Sequence, residues 1–197
     1  MTAPPNTSGT TGVWTDEGHG RNELDEVRRA QQGEHDAFDR LAEQHAAELY
    51  RVAVVIVGPD DAADATQDAL LSAWRELPRL RDPDRFGAWL RRILVNGCRD
   101  RLRTARRSVR EIRVVPIDDQ LAIAAPDQHG RVETGAALGP AVARLVADHR
   151  AVVALHYAAD LSIREVAEAL DIPVGTAKSR LAAALTALRA EIGEEER

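Results

Sequence analysis

Residues 171–181, DIPVGTAKSRL, gather Thr176, Lys178, Ser179 and Arg180 at the opening turns of a helix. Hydroxyl, ammonium and guanidinium donors suit phosphate oxygens and base edges, and a helix N-terminus itself attracts anions. A second basic set lies upstream. From Trp74 to Arg113 there are thirteen Arg, five acids and no Lys. The planar guanidinium is the better reader of phosphate and base edges. The segment before it, Glu34 to Ala73, is the reverse, with nine acids and two Arg. The net charge of −6 therefore conceals an acidic block beside a basic one. Such blocks point to different partners for two faces; the alternative is that the faces attract each other within the fold.

Other chemistry is poorly supplied. Cys98 is the single cysteine, so no disulfide forms within the chain, and the six histidines show no ligand spacing. There is no nucleophile–base pair, no Gly-rich phosphate loop and no metal cluster. We expect neither an enzyme nor a bound cofactor. No apolar run has the length of a membrane span and no basic-then-apolar leader is present, so a soluble cytoplasmic protein is expected.

The elements that must position these donors are helices. The chain has 197 residues, 44% hydrophobic and 4% aromatic, so its core is built of Ala, Val, Leu and Ile. Abundant Ala, Leu, Arg and Glu predict an all-α protein. Residues 1–23, rich in Thr, Gly and Pro, are expected to be a disordered arm. Helical periodicity begins near Leu24 and runs through Ala37, Phe38, Leu41, Leu49, Val52 and Ile56. A helix over about 61–77 is expected to start at an Asp60 or Asp61 cap, and another over about 85–107 carries the stripe Phe86, Trp89, Leu90, Ile93 and Leu94. Gly97 inside it marks either a close neighbour or a weak point. Periodicity fades over 111–137, the expected flexible linker, and resumes near Leu138. Residues 193–197 form an acidic tail.

The segment from Leu161 fits a helix-turn-helix. Ser162 and Glu165 have the spacing of a capping box. Ile163, Val166 and Leu170 share an apolar face, and Ala167 is small where a second helix must cross. Asp171 sits at the turn, a residue that tolerates the left-handed conformation. Ile172 plugs the turn and Pro173 suits the start of the next helix. That helix offers its first turns to a major groove. Cys98, Phe86, Trp74 and Trp89 have the spacing of core residues.

With both halves in view, the chain resembles the extracytoplasmic-function group of bacterial sigma-70 factors. "HRAVVALHYAADLSIREVAEALDIPVGTAKSRL" is similar to their region 4. "GEHDAFDRLAEQHAAELYRVA", "DDAADATQDALLSAWREL" and "RFGAWLRRILVNGCRDRLR" are similar to their region 2. The resemblance implies two small helical domains, region 2 over 24–110 and region 4 over 138–192, joined by the linker. It implies a promoter-recognition subunit of RNA polymerase. Asp64, Gln67, Asp68 and Leu71 would then dock on the clamp helices of the largest core polymerase subunits. Leu80, Arg92, Asn96 and Arg99 would hold the melted −10 strand, with the bases flipped out. Thr176, Lys178, Ser179 and Arg180 would read the −35 element as duplex. An anti-sigma factor is a further partner that the resemblance suggests.

The sequence departs from the family pattern in places. Leu80 stands where many relatives carry an aromatic, Asp160 and Asp171 replace glycines around the region 4 motif, and the proline that opens region 4 is missing at Val146–Ala147. The rival readings are an ordinary helix-turn-helix regulator and a sigma-like decoy that binds a protein partner without DNA.

Overall fold

A computed structural model describes residues 16–112 and 138–195, with side chains over 22–105 and 138–192. Every regular element among them is helical. The N-terminal half comprises α1 (Asp16–Gln31), α2 (His35–Val57), α3 (Pro59–Glu76) and α4 (Phe86–Ile112), with short 3-10 turns at Leu77–Arg79 and Pro83–Arg85. The C-terminal half comprises α5 (Leu138–Arg144), α6 (Ala147–Val153), a widened π-type turn (Ala154–Ala158), α7 (Ile163–Leu170) and α8 (Val174–Glu195).

Two boundaries differ from the sequence reading. Helix α1 begins at Asp16, so residues 16–23 belong to a helix rather than to the expected arm, and residues 1–15 lie outside the described residues. Polar composition concealed it: Val27 and Ala30 are buried against α2 by packing, which overrides a weak local signal. Helix α3 starts without an Asp cap. Gly58 takes the cap position with φ of 92°, a conformation that favours glycine, and Pro59 supplies the first helical φ. Asp60 and Asp61 lie in the first turn, where the helix dipole favours them. Helix α4 extends to Ile112, past the expected end, and the rest of the linker, 113–137, lies outside the described residues, as do 196–197 of the acidic tail.

The packing follows from residue size. Helix α3 buries Ala62, Ala65, Thr66, Ala69 and Ala73, so α2 can lie close against it. Helix α2 supplies the larger groups Phe38, Leu41, Leu49, Val52 and Ile56. Phe86, Leu90, Leu94, Val95 and Cys98 of α4 complete that side of the core. Burial pushes the Cys98 thiol up to about 12, so it is a small packing residue with little thiolate at neutral pH. Trp74 and Trp89 are partly buried against the same core.

The core does not stop at the end of α4. Val152, Ala154, Leu155, Leu161, Val166, Leu170 and Ala177 of the C-terminal half join it. A fully buried Val or Leu contributes about 1.5–3 kcal/mol, so the contact between halves is substantial. Arg150 of α6 reinforces it. Only 7% exposed, it donates through Nη1 to the Ile56 carbonyl of α2 at 2.7 Å and through Nε to the Leu145 carbonyl at 3.1 Å. Ile56 lies in the last turn of α2, where carbonyls have no partner within the helix. A side chain from one half thus caps a helix of the other. A smaller cluster of Ala141, Leu145, Val153, Ala184 and Leu188 holds α5 and α8 to α6.

Candidate nucleic-acid interface

The helix-turn-helix is assembled by α7 and α8. The Ser162 hydroxyl accepts from the Glu165 backbone N–H at 3.3 Å, and the Ser162 backbone N–H donates to the Glu165 carboxylate at 2.8 Å. This completes the expected capping box. Hydrogen bonds from Ser162 hold the Glu165 carboxyl below its usual range. Asp171 adopts φ 54° and ψ 49°, the left-handed turn expected of it, and Ile172 donates its N–H back to Ala167 at 3.0 Å. Ala167 and Ala177 are buried where the two helices cross. The local chemistry of this motif is therefore all within a few residues of itself.

The four donors of α8 are not equivalent. Lys178 and Ser179 are exposed, while Thr176 and Arg180 are half-buried. Lys178 has no ion pair among the described residues. The Ser179 hydroxyl donates back to the Thr176 carbonyl at 3.0 Å. Arg180 Nη2 pairs with Asp148 of α6 at 2.8 Å.

On α4, Arg92, Asn96 and Arg99 follow one another at intervals of four and three, which brings them to one face. Asn96 is exposed and without a side-chain partner among the described residues. Arg92 pairs with Asp171 at 2.7 Å and Arg99 with Asp148 at 2.9 Å. Arg99 Nε is buried with no hydrogen-bond partner. Leu80, the fourth residue of this group, is set apart. It ends the 3-10 turn after α3, half-buried against the core, and its carbonyl accepts from Gln31 Nε2 at 2.8 Å. Its side chain packs partly against the core.

Helix α3 shows the contrast. Asp64, Gln67, Asp68 and Leu71 form a stripe at successive turns, and all four are exposed. Leu71 is 45% exposed, a large apolar group open to solvent. Asp68 pairs with Arg101 of α4, and the other polar members are unpaired among the described residues.

Part of the arginine block serves the fold. Arg91 is bidentate to Glu48 of α2, and Arg85 pairs with Glu168 of α7 at 3.0 Å. The attraction between acidic and basic blocks, the alternative left open by charge counting, is realised at Arg91 and Arg101. Sequence reasoning missed Asp148, Glu168 and Arg150. Their partners lie tens of residues away, and no spacing rule links them. The one local signal was an Arg in the otherwise apolar run around Val152 and Leu155.

Among the described residues no group of His, Cys, Asp and Glu could hold a metal, and no helix is long and apolar enough to cross a membrane.

Comparison with known proteins agrees with this layout. Residues 41–108 match the Sigma-70 region 2 family and residues 137–188 match Sigma-70, region 4. The chain is 35% identical over 176 residues to the ECF RNA polymerase sigma factor SigM of Mycobacterium tuberculosis, covering 89% of this chain and 87% of that protein. It is 37% identical over 161 residues to SigL of the same species, covering 78% and 88%. Among solved structures, CnrH in complex with the cytosolic domain of CnrY superposes with a TM-score of 0.63 at 25% identity, over 88% of this chain and 98% of that one. The sigma factor RpoE of Bartonella quintana, in complex with the anti-sigma factor NepR, gives 0.62 at 26% identity, over 79% and 96%. Two matched regions in the right order, a relative of like length at this identity and a shared all-helical fold lead to one conclusion: the chain belongs to the extracytoplasmic-function group of sigma-70 RNA polymerase sigma factors.

Proposed function

We propose that this sigma factor divides its work among three faces. The α3 stripe of Asp64, Gln67, Asp68 and Leu71 docks on the clamp helices of core RNA polymerase. An exposed Leu ringed by carboxylates suits a partner surface that is basic with an apolar notch. The α4 face of Arg92, Asn96 and Arg99 takes the melted −10 strand, the Arg side chains on its phosphates and Asn96 on an unstacked base. Leu80, in the loop before α4, is the fourth candidate for the −10 strand. The first turns of α8, with Thr176, Lys178, Ser179 and Arg180, read the −35 duplex in the major groove. The chain acts as an initiation factor in the cytoplasm, and the chemistry of RNA synthesis belongs to the polymerase. An anti-sigma factor is a further partner, as NepR is in the complex with RpoE of Bartonella quintana.

The observation that carries this reading is that the two DNA-type sets stand on different helices with different chemistry. One lies on a helix whose exposed amide has no protein partner, and the other on a capped helix-turn-helix. Duplex and single strand demand different chemistry, and two faces supply it. Permanganate footprinting of a promoter bound by the holoenzyme tests the assignment. Asn96→Ala is expected to leave duplex binding near normal and to reduce thymine reactivity at the −10 element about tenfold. A template already melted there should recover part of the loss. Arg180→Ala should weaken occupancy on both templates, by about 1–3 kcal/mol if a base contact of good geometry is lost. Normal melting by Asn96→Ala would remove strand capture from α4. Failure of the wild-type chain to support any transcript with core polymerase would favour a decoy.

A further inference from the structure

Lys178 and Arg180 stand two residues apart on the opening turns of α8, and their surroundings differ. Lys178 is exposed and has no ion pair among the described residues. Arg180 is half-buried, and its Nη2 meets the Asp148 carboxylate of α6 at 2.8 Å. We propose that Asp148 is a positioning residue for Arg180: it fixes the guanidinium for reading one base of the −35 duplex and weakens its attraction for phosphate.

The proposal rests on the assignment of Arg180 to the −35 duplex given above, and location supplies its first argument. Asp148 and Arg180 both lie within residues 137–188, the region 4 match, on helices that pack against each other. The pair therefore needs no part of the N-terminal half. The second oxygen of the carboxylate takes Arg99 of α4 at 2.9 Å, so the two arginines do not compete for one acceptor. The second argument is how firmly Asp148 is held. It is the acid in the first turn of α6, a helix whose N-cap, Val146, supplies no side-chain cap. The helix dipole favours a carboxylate there. Leu145, Arg150, Ala151 and Val152 beside it are buried, so α6 cannot shift without disturbing the core. A carboxylate on such a base is a fixed acceptor.

The third argument is chemical. A guanidinium carries five N–H donors in a rigid plane. Asp148 engages Nη2, while Nε and Nη1 of Arg180 have no partner among the described residues. Guanine offers two acceptors, O6 and N7, so the donors that remain are enough to read it. Holding the long side chain in advance removes rotamer freedom that would otherwise be lost on binding. The carboxylate also offsets the positive charge. Attraction to phosphate is Coulombic and falls with that charge, whereas a base contact depends on donor geometry and survives. An acid on a DNA-binding face lowers general affinity, and what it supplies in return is orientation at Arg180. Lys178, with no acid beside it, keeps its full charge for phosphate.

The test is base preference, read position by position. A promoter pool randomised over both elements is bound by the holoenzyme, retained on a filter and sequenced. The wild-type chain should favour one base at the position read by Arg180 by about tenfold, and Arg180→Ala should erase that preference. Asp148→Asn should lower it about three- to fivefold at that position alone. The same holoenzyme should bind a duplex of unrelated sequence at least as tightly as wild type does, because a negative charge has left the DNA face. Asp148→Asn added to Arg180→Ala should remove nothing further at that position. A structural role for Asp148 would give a different pattern, with preference lost at every −35 position and affinity for all sequences lost with it. That pattern would overturn the proposal, as would an unchanged preference in Asp148→Asn or a further loss in the double variant. In those cases Arg180→Ala still reports on the base contact, so the reading of α8 is judged by itself. If Arg180→Ala leaves every position unchanged, that reading and the proposal fall together.

Discussion

Helices α3 and α4 lie side by side and carry the two stripes proposed to be functional in the N-terminal half, yet the stripes differ in availability. On α3, Asp64, Gln67 and Leu71 face solvent without partners among the described residues. On α4, Arg92 and Arg99 are engaged by acids from the C-terminal half, and only Asn96 is free. The reason lies in which helix the C-terminal half packs upon: α7 and α6 lie against α4, and none of the C-terminal helices makes a comparable contact with α3. The α3 stripe is thus largely open, and the arginines of the α4 stripe are engaged.

The comparison breaks most completely at Arg150. Arg150→Met keeps the apolar stem but removes the donor that caps α2, leaving the Ile56 carbonyl unsatisfied at a buried site. A loss of about 2–4 kcal/mol is expected in urea unfolding, with earlier proteolytic cleavage within 113–137. If stability is unchanged and the chain stays resistant, the halves are held by apolar packing alone.

The double variant Asp64→Ala, Asp68→Ala sharpens the α3 side. Affinity for core polymerase should fall about tenfold or more, while stability stays within about 0.5 kcal/mol, as is usual for exposed helix positions. A large loss of stability would make the Asp68–Arg101 pair structural and leave α3 without a docking face. A smaller effect concerns Gly97. Its position is exposed, and a Cβ there would meet no atom within 4 Å. Of the two explanations for a mid-helix glycine, close packing therefore fails. Gly97→Ala should stabilise the fold by about 0.5–1 kcal/mol in thermal melts. If that variant also melts promoters less well, the weak point beside Asn96 serves strand capture.

The smallest effect is on acid stability, and it separates the halves. Glu23, hydrogen-bonded to His45, and Glu165, hydrogen-bonded to Ser162, both have lowered carboxyl pKa values. A lowered value in the folded state means that their stabilisation is present above the unfolded value near 4.5 and is lost as pH falls through the folded value. Glu165→Gln should flatten the melting curve against pH below that point for the helix-turn-helix, leaving the Glu23 contribution intact. An unchanged acid profile would mean that the capping box does not titrate with folding.

Much of this protein could be read along the chain. Helices α2, α4, α7 and α8, the capping box at Ser162 and Glu165, the left-handed turn at Asp171 and the order of the two regions all followed from residue types within one or two turns of each other. Caps, turns and apolar faces depend on backbone geometry and neighbours up to four residues away, so sequence alone determines them. What the tertiary structure decided was the state of those parts. Polar α1 became a helix from Asp16 because α2 packs against it, and Leu80 became half-buried because it packs against the core. Arg92 met Asp171, Arg99 and Arg180 met the same Asp148, and Arg150 met Ile56, 94 residues earlier in the chain. Those pairings depend on how two helical halves rotate and settle on a shared apolar core, a choice set by packing over the whole chain and written in no local pattern.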